Sequence, residues 1–178
     1  MLKNQKGLTL IEVLITIGLI GFVIVLVNQM YHTQFRSVKV TEEKSKLATE
    51  AREIQTTITQ LAMESVGILK VTVDGVDETN NQQLNQGKVI EVVLAFLDKP
   101  DVSIKYDREE QTLTLNQRVL SERMIDFDVS PLGASYEEAD SIQLSFGLQS
   151  TVLRQVVNEE LDCMIMFRNK ELSLSETI

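Results

Sequence analysis

Few residues in this chain are of a type that does chemistry, and they are widely spread. One acid, Glu12, lies inside an apolar run that extends from Leu8 to Val27. His32 is the only histidine and Cys163 the only cysteine. The other candidates are the adjacent acids Glu109-Glu110, Glu137-Glu138 and Glu159-Glu160. Neighbours on a strand point to opposite faces, so such pairs make poor general acid–base couples and read as solvated charge. There is no nucleophile elbow, no glycine-rich phosphate loop and no zinc-ligand spacing. A lone histidine supports no histidine-based metal site, and His32 reads as a polar ring at a membrane interface. Cys163, in Cys163-Met164-Ile165-Met166-Phe167, reads as a small buried hydrophobe. The expectation is a protein without catalytic residues, cofactor or resident metal.

That leaves Glu12. An acid within a membrane span costs about 2.5–3.5 kcal/mol at mid-bilayer. Fifteen aliphatic or aromatic residues surround it between Leu8 and Val27. Each contributes about −0.3 to −0.6 kcal/mol, so insertion wins. Twenty residues at 1.5 Å each span about 30 Å, the hydrocarbon thickness of a bilayer. Lys3 and Lys6 precede the span and predict a cytoplasmic N-terminus with the remainder outside. A cleaved secretory signal would need small residues after the apolar core. No alanine occurs before Ala48, and a lipoprotein signal would need a cysteine that is absent there. A plain signal anchor explains the length and the lysines but neither Glu12 nor the Lys6-Gly7 junction.

The segment Lys6-Gly7-Leu8-Thr9-Leu10-Ile11-Glu12 resembles the type III signal of type IV pilins and of the pseudopilins of type II secretion and DNA uptake. The resemblance implies cleavage between Gly7 and Leu8 by a prepilin peptidase, followed by N-methylation of Leu8. It implies that Glu12, the fifth mature residue, meets the amine of a neighbouring subunit during assembly. An unpaired charge is costly between apolar helices, whereas a pair is tolerated. Leu8 stands where the family usually has phenylalanine. Gly18 and Gly21 are read as sites of close helix packing in the membrane, or of local loosening on extraction. Many pilins carry a proline where this chain has Gln29, and none occurs here before Pro100. The implied partners are other pilins or pseudopilins through the N-terminal helix, the prepilin peptidase, a membrane platform protein and an assembly ATPase. The runs from Val119 to Phe127 and from Met166 to Asn169 resemble the minor-pilin group that includes the J pseudopilin of type II secretion.

Charge narrows the partners further. The net charge is −9, and without the first seven residues it is −11. Such a surface repels phosphate backbones, so no nucleic-acid partner is expected. One cysteine forms no internal disulfide, so the fold must rest on its core.

The positioning elements follow from periodicity. Leu47, Ala51, Ile54, Ile58 and Leu61 form one apolar stripe of a helix that stops at Gly67, with Glu42 and Lys46 one turn apart. Alternation predicts strands at Leu69–Val73, Val102–Tyr106, 112–115, Ile125–Val129 and Ile142–Phe146. The loop Asp107–Gln111 predicts a hairpin. Val89–Leu97 reads equally as strand or short helix. Val152–Phe167 is also open, with a break expected at Asn158-Glu159-Glu160. The polar stretch Asp74–Lys88 reads as a solvated loop; Asp74, Asp77, Glu78 and Asn80 could hold calcium only outside any EF-hand spacing.

The expected organisation is a leader (1–7), a transmembrane assembly helix (8–27), its continuation into a globular domain (28–66) and a β-rich extracytoplasmic domain (67–178). The fold class is α+β, a long N-terminal helix packed on an antiparallel sheet as in pilins. The function implied is a non-enzymatic minor pilin or pseudopilin that primes or caps a membrane-extruded filament. The alternative is a single-pass membrane-anchored binding domain that never polymerises.

Overall fold

The computed structural model describes residues 9–81, 87–133 and 135–168. One helix, α1 (Leu10–Glu64), precedes nine strands. The chain divides into two compact units, residues 1–42 and 43–178.

In the first unit α1 is long and apolar enough to cross a membrane. Its side chains between Leu10 and Lys39 are exposed. Its threonines keep their hydroxyls satisfied within the helix. Thr16 Oγ1 donates to the Glu12 carbonyl at 2.7 Å, and Thr33 Oγ1 to the Gln29 carbonyl at 3.0 Å. This back-bonding lets a β-branched polar residue sit in an apolar helix without an orphan hydroxyl.

In the second unit α1 buries Leu47, Ala51, Ile54, Ile58 and Ala62. The stripe matches the expected one up to its last member, where Ala62 faces inward and Leu61 is only half-buried. The helix stops before Gly67. Ser65, fully buried, donates its hydroxyl to the Ala62 carbonyl at 2.7 Å, and its amide reaches the Leu61 carbonyl at 3.0 Å. Gly67 instead opens the first strand.

The strands are β1 (Gly67–Val73), β2 (Val76–Asp77), β3 (Val89–Ala95), β4 (Val102–Asp107), β5 (Thr112–Leu115), β6 (Arg118–Ser121), β7 (Met124–Pro131), β8 (Ser141–Val152) and β9 (Gln155–Met166). They form two antiparallel sheets rather than one, in the orders β2-β1-β3-β4-β5-β6 and β7-β8-β9. Val89–Leu97 resolves as the inner strand β3, and residues 107–111 turn β4 into β5. Ile90, Val92, Leu94, Ile104, Tyr106 and Leu113 are buried in the larger sheet. Phe127, Val129, Ile142, Leu144, Phe146 and Ile165 are buried in the smaller one.

Three further expectations, about the strands, are corrected. Alternation puts Leu69 on the same face as Val71 and Val73, but it is 55% exposed, while Ile68 is buried. The register shifts between Ile68 and Lys70, and a bulge of one extra residue swaps the two faces on either side of it. The same occurs in β7. Met124 is buried, Ile125 is half-buried, and the shift lies between Met124 and Asp126. Finally, no break occurs at Asn158-Glu159-Glu160. Strand β9 runs through them, and the turn comes earlier, at Leu153-Arg154, where Val152 faces Gln155.

Candidate assembly and processing site

Gly7 and Leu8, the expected processing junction, lie outside the described residues. Thr9 is the first described residue, and its carbonyl accepts the amides of Glu12 at 3.1 Å and Val13 at 3.2 Å. Thr9 therefore occupies the N-cap position of α1, and Glu12 is the third helical residue. Thr-x-x-Glu is the spacing of a capping box, although here the Glu12 amide bonds the Thr9 carbonyl rather than its hydroxyl. The sequence reading missed Thr9, although this spacing was visible. A carboxylate in the first turn is also favoured by the partial positive charge of the helix N-terminus. Glu12 thus has a local reason to sit there, apart from the intermolecular role that the resemblance implies. Helical spacing aligns Thr9, Glu12 and Thr16 on one face.

Gly18 and Gly21 lie one turn further along, within uninterrupted helix. A Cβ at either would meet nothing within 4 Å. They leave a shallow place on the helix surface where another backbone could approach closely. Tyr31 stacks on Phe35 at 6.4 Å and meets His32 edge-on at 6.2 Å. All three rings are exposed.

The domain end of α1 is fastened electrostatically. Glu43 accepts from Arg123 Nη1 at 3.0 Å and from Ser150 Oγ at 2.8 Å, and Lys46 Nζ lies 3.8 Å away. The Ser150 hydroxyl, the Arg123 guanidinium and the Lys46 ammonium hold its carboxyl below the ordinary 4.5, against the opposing effect of burial. Two turns on, Glu50 accepts from Ser121 Oγ at 2.6 Å.

The acids weighed for calcium are engaged by the chain. Asp74 Oδ1 accepts the amides of Lys88 and Val89 at 2.9 and 2.8 Å. Asp77 Oδ1 accepts the Thr79 amide at 3.0 Å, and Glu78 pairs with Asn81. Among the described residues no three His, Cys, Asp or Glu side chains converge to hold a metal. Thr79 also ties this loop down, giving its hydroxyl to Asp77 and receiving the Val71 amide at 3.0 Å. Cys163 is half-buried rather than buried, and burial pushes its thiol up. The outward face of the larger sheet lines an open trough of about 1080 Å³, floored by the row Thr72, Glu91, Lys105 and Thr114. Its polar groups bond one another, as Ser103 Oγ does Glu91 at 2.5 Å and Lys88 does Glu109 at 2.6 Å.

Residues 2–28 match the family model described as the prokaryotic N-terminal methylation motif. No curated protein and no solved structure matches the chain.

Proposed function

We propose that this chain, whose N-terminal segment matches the methylation motif, is a member of the type IV pilin and pseudopilin family with the role of a minor pilin or pseudopilin. It is a structural subunit, processed by a prepilin peptidase, that helps initiate or cap a filament extruded from the cytoplasmic membrane. The observation that carries this reading is the methylation motif at residues 2–28, continuous with the apolar part of α1. An α+β domain whose helix packs on antiparallel sheets agrees with it.

On this reading the leader 1–7 stays in the cytoplasm and the β-rich domain lies outside. The peptidase cuts between Gly7 and Leu8 and methylates Leu8. The new amine, one residue ahead of the Thr9 cap, becomes the cation that Glu12 of a neighbouring subunit meets. Sister pilins are the direct partners, with the platform protein and the ATPase acting through assembly. The domain acts by binding and packing, not by catalysis.

N-terminal mass spectrometry of the protein from its native membrane tests this. A mature chain beginning at methylated Leu8 is expected. An intact Met1, or a cut elsewhere, overturns the reading and leaves a membrane-anchored binding domain. Absence from sheared surface filaments, together with a requirement in export or DNA uptake, favours a pseudopilin over a surface pilin.

A further inference from the structure

The exposed part of α1 beyond the apolar run has two distinct lines of side chains. Tyr31, Phe35 and Val38 are 64, 48 and 62% exposed. Steps of four and three place them on one line, with His32, Arg36 and Lys39 on the next. Between Glu12 and Glu42 the only charged residues are Arg36 and Lys39. Lys39 shares its charge with Glu42 at 3.1 Å, and Arg36 stands clear of any acid on its own turn. Residues 47–178, by contrast, hold 11 basic and 23 acidic side chains. Two such domains repel each other, and this stretch of helix is their natural complement.

The outward face of the smaller sheet has the matching pattern. Its register places Asp128, Ser145 and Asp162 in one row, and Asp126, Gly147 and Glu160 in the next. All four acids are exposed; Asp126 already has Arg108 Nη2 at 3.5 Å, so Asp128, Glu160 and Asp162 carry the unshared charge of the face. The acids of each row are two strand spacings apart, about 9.6 Å, with the small residue Ser145 between one pair and Gly147, covered by the Ile125 side chain, between the other. That is close to the 10–12 Å width of a helix with its side chains. Further along β9 the same face continues as Met164 and Met166, each 67% exposed. Acid rows therefore give way to an apolar end, as the cationic line on α1 adjoins an aromatic one.

We infer that this sheet face of one copy docks on the Tyr31–Lys39 stretch of a second copy, with Arg36 and Lys39 against the acid rows and the aromatic line on Met164 and Met166. The inference rests on the filament reading, and it requires that at least two copies of this chain enter one assembly as neighbours. It gives the outer domain a contact of its own, separate from the Glu12 pairing at the helix start.

The test uses two differently tagged full-length chains, both Cys163→Ser, co-expressed in the native membrane. One carries Phe35→Cys and the other Met164→Cys. A disulfide species bearing both tags is expected, several-fold above a control in which Thr114→Cys replaces Met164→Cys. Arg36→Glu should lower its yield by about threefold, as expected for an exposed ion pair. Asp128→Lys should do the same, and the two together should restore it. Co-purification of the tags with Cys163 intact provides a readout free of new cysteines. Equal yields in the control, loss without rescue, or capture of only a different protein overturns the inference. Methylated Leu8 without a mixed disulfide overturns the docking alone, whereas an unprocessed Met1 overturns the filament reading too.

Discussion

Arg123 Nη1 donates to Glu43 Oε1 at 3.0 Å, joining two residues eighty apart in sequence. Glu43 is the first helical residue of the second unit, and Arg123 stands at the corner between β6 and β7. The Ser150 hydroxyl on β8 closes on the same carboxylate oxygen at 2.8 Å. The carboxylate thereby pins the helix to β8 and to the corner that joins the two sheets.

That arrangement predicts a pH dependence. Glu43 has a folded pKa below its ordinary 4.5, so the unfolded chain binds its proton more readily. Its stabilisation is present above about 4.5 and is lost as pH falls through the lower folded value. Glu43→Gln should therefore flatten the acid limb of a urea-midpoint-against-pH profile and lower the plateau near neutrality. Glu53→Gln, on the exposed side of α1, should leave both intact. Parallel curves for wild type and Glu43→Gln below pH 4.5 would show that the carboxylate does no such fastening.

The two buried tyrosines should respond oppositely to loss of their hydroxyls. Tyr106 is fully buried beside Phe127, at 5.8 Å between ring centres, and among the described residues its Oη has no partner within hydrogen-bond geometry, Arg108 being the nearby cation. Tyr136 Oη donates to the Val129 carbonyl, also in full burial. Tyr106→Phe should leave stability within about 0.5 kcal/mol of wild type or raise it, whereas Tyr136→Phe should cost about 1 kcal/mol or more. Chemical denaturation of the full chain in detergent measures both.

The β8–β9 turn is strained. Leu153 and Arg154 have φ of 50° and 67°, a left-handed pair that neither side chain favours. Asn-Gly suits that two-residue turn. Replacing both residues, Leu153→Asn with Arg154→Gly, should stabilise the domain by about 1–2 kcal/mol. A melting temperature unchanged or lowered would place the strain elsewhere.

Glu12 carries the assembly prediction. Glu12→Leu should improve membrane insertion yet sharply reduce recovery of the processed chain in the assembled fraction. Thr9→Ala, which removes the side chain at the N-cap position but keeps its carbonyl bonds, should cost at most about 0.5–2 kcal/mol at the helix start and reduce recovery less. Comparison of cell-fractionation blots decides it, and wild-type recovery of Glu12→Leu would end the pairing idea.

The sequence by itself determined what is local and periodic. The apolar run, the stripe from Leu47 to Ile58 and the alternation in β4, β5 and β8 all read directly, because a helix repeats every 3.6 residues and a strand every two. The motif from Lys6 to Glu12 read likewise, since its meaning lies in contiguous residues. Tertiary structure decided what depends on distant partners. The bulges after Ile68 and Met124 exchange which neighbour is buried, and only the facing strand imposes such a shift. Leu153-Arg154 carries no turn signal, so the long β8–β9 pairing had to force the turn there. The division into two sheets, the rows of acids across β7, β8 and β9, and the bond between Glu43 and Arg123 share that origin. Each depends on which strands become neighbours, and residues far apart in the chain settle that together.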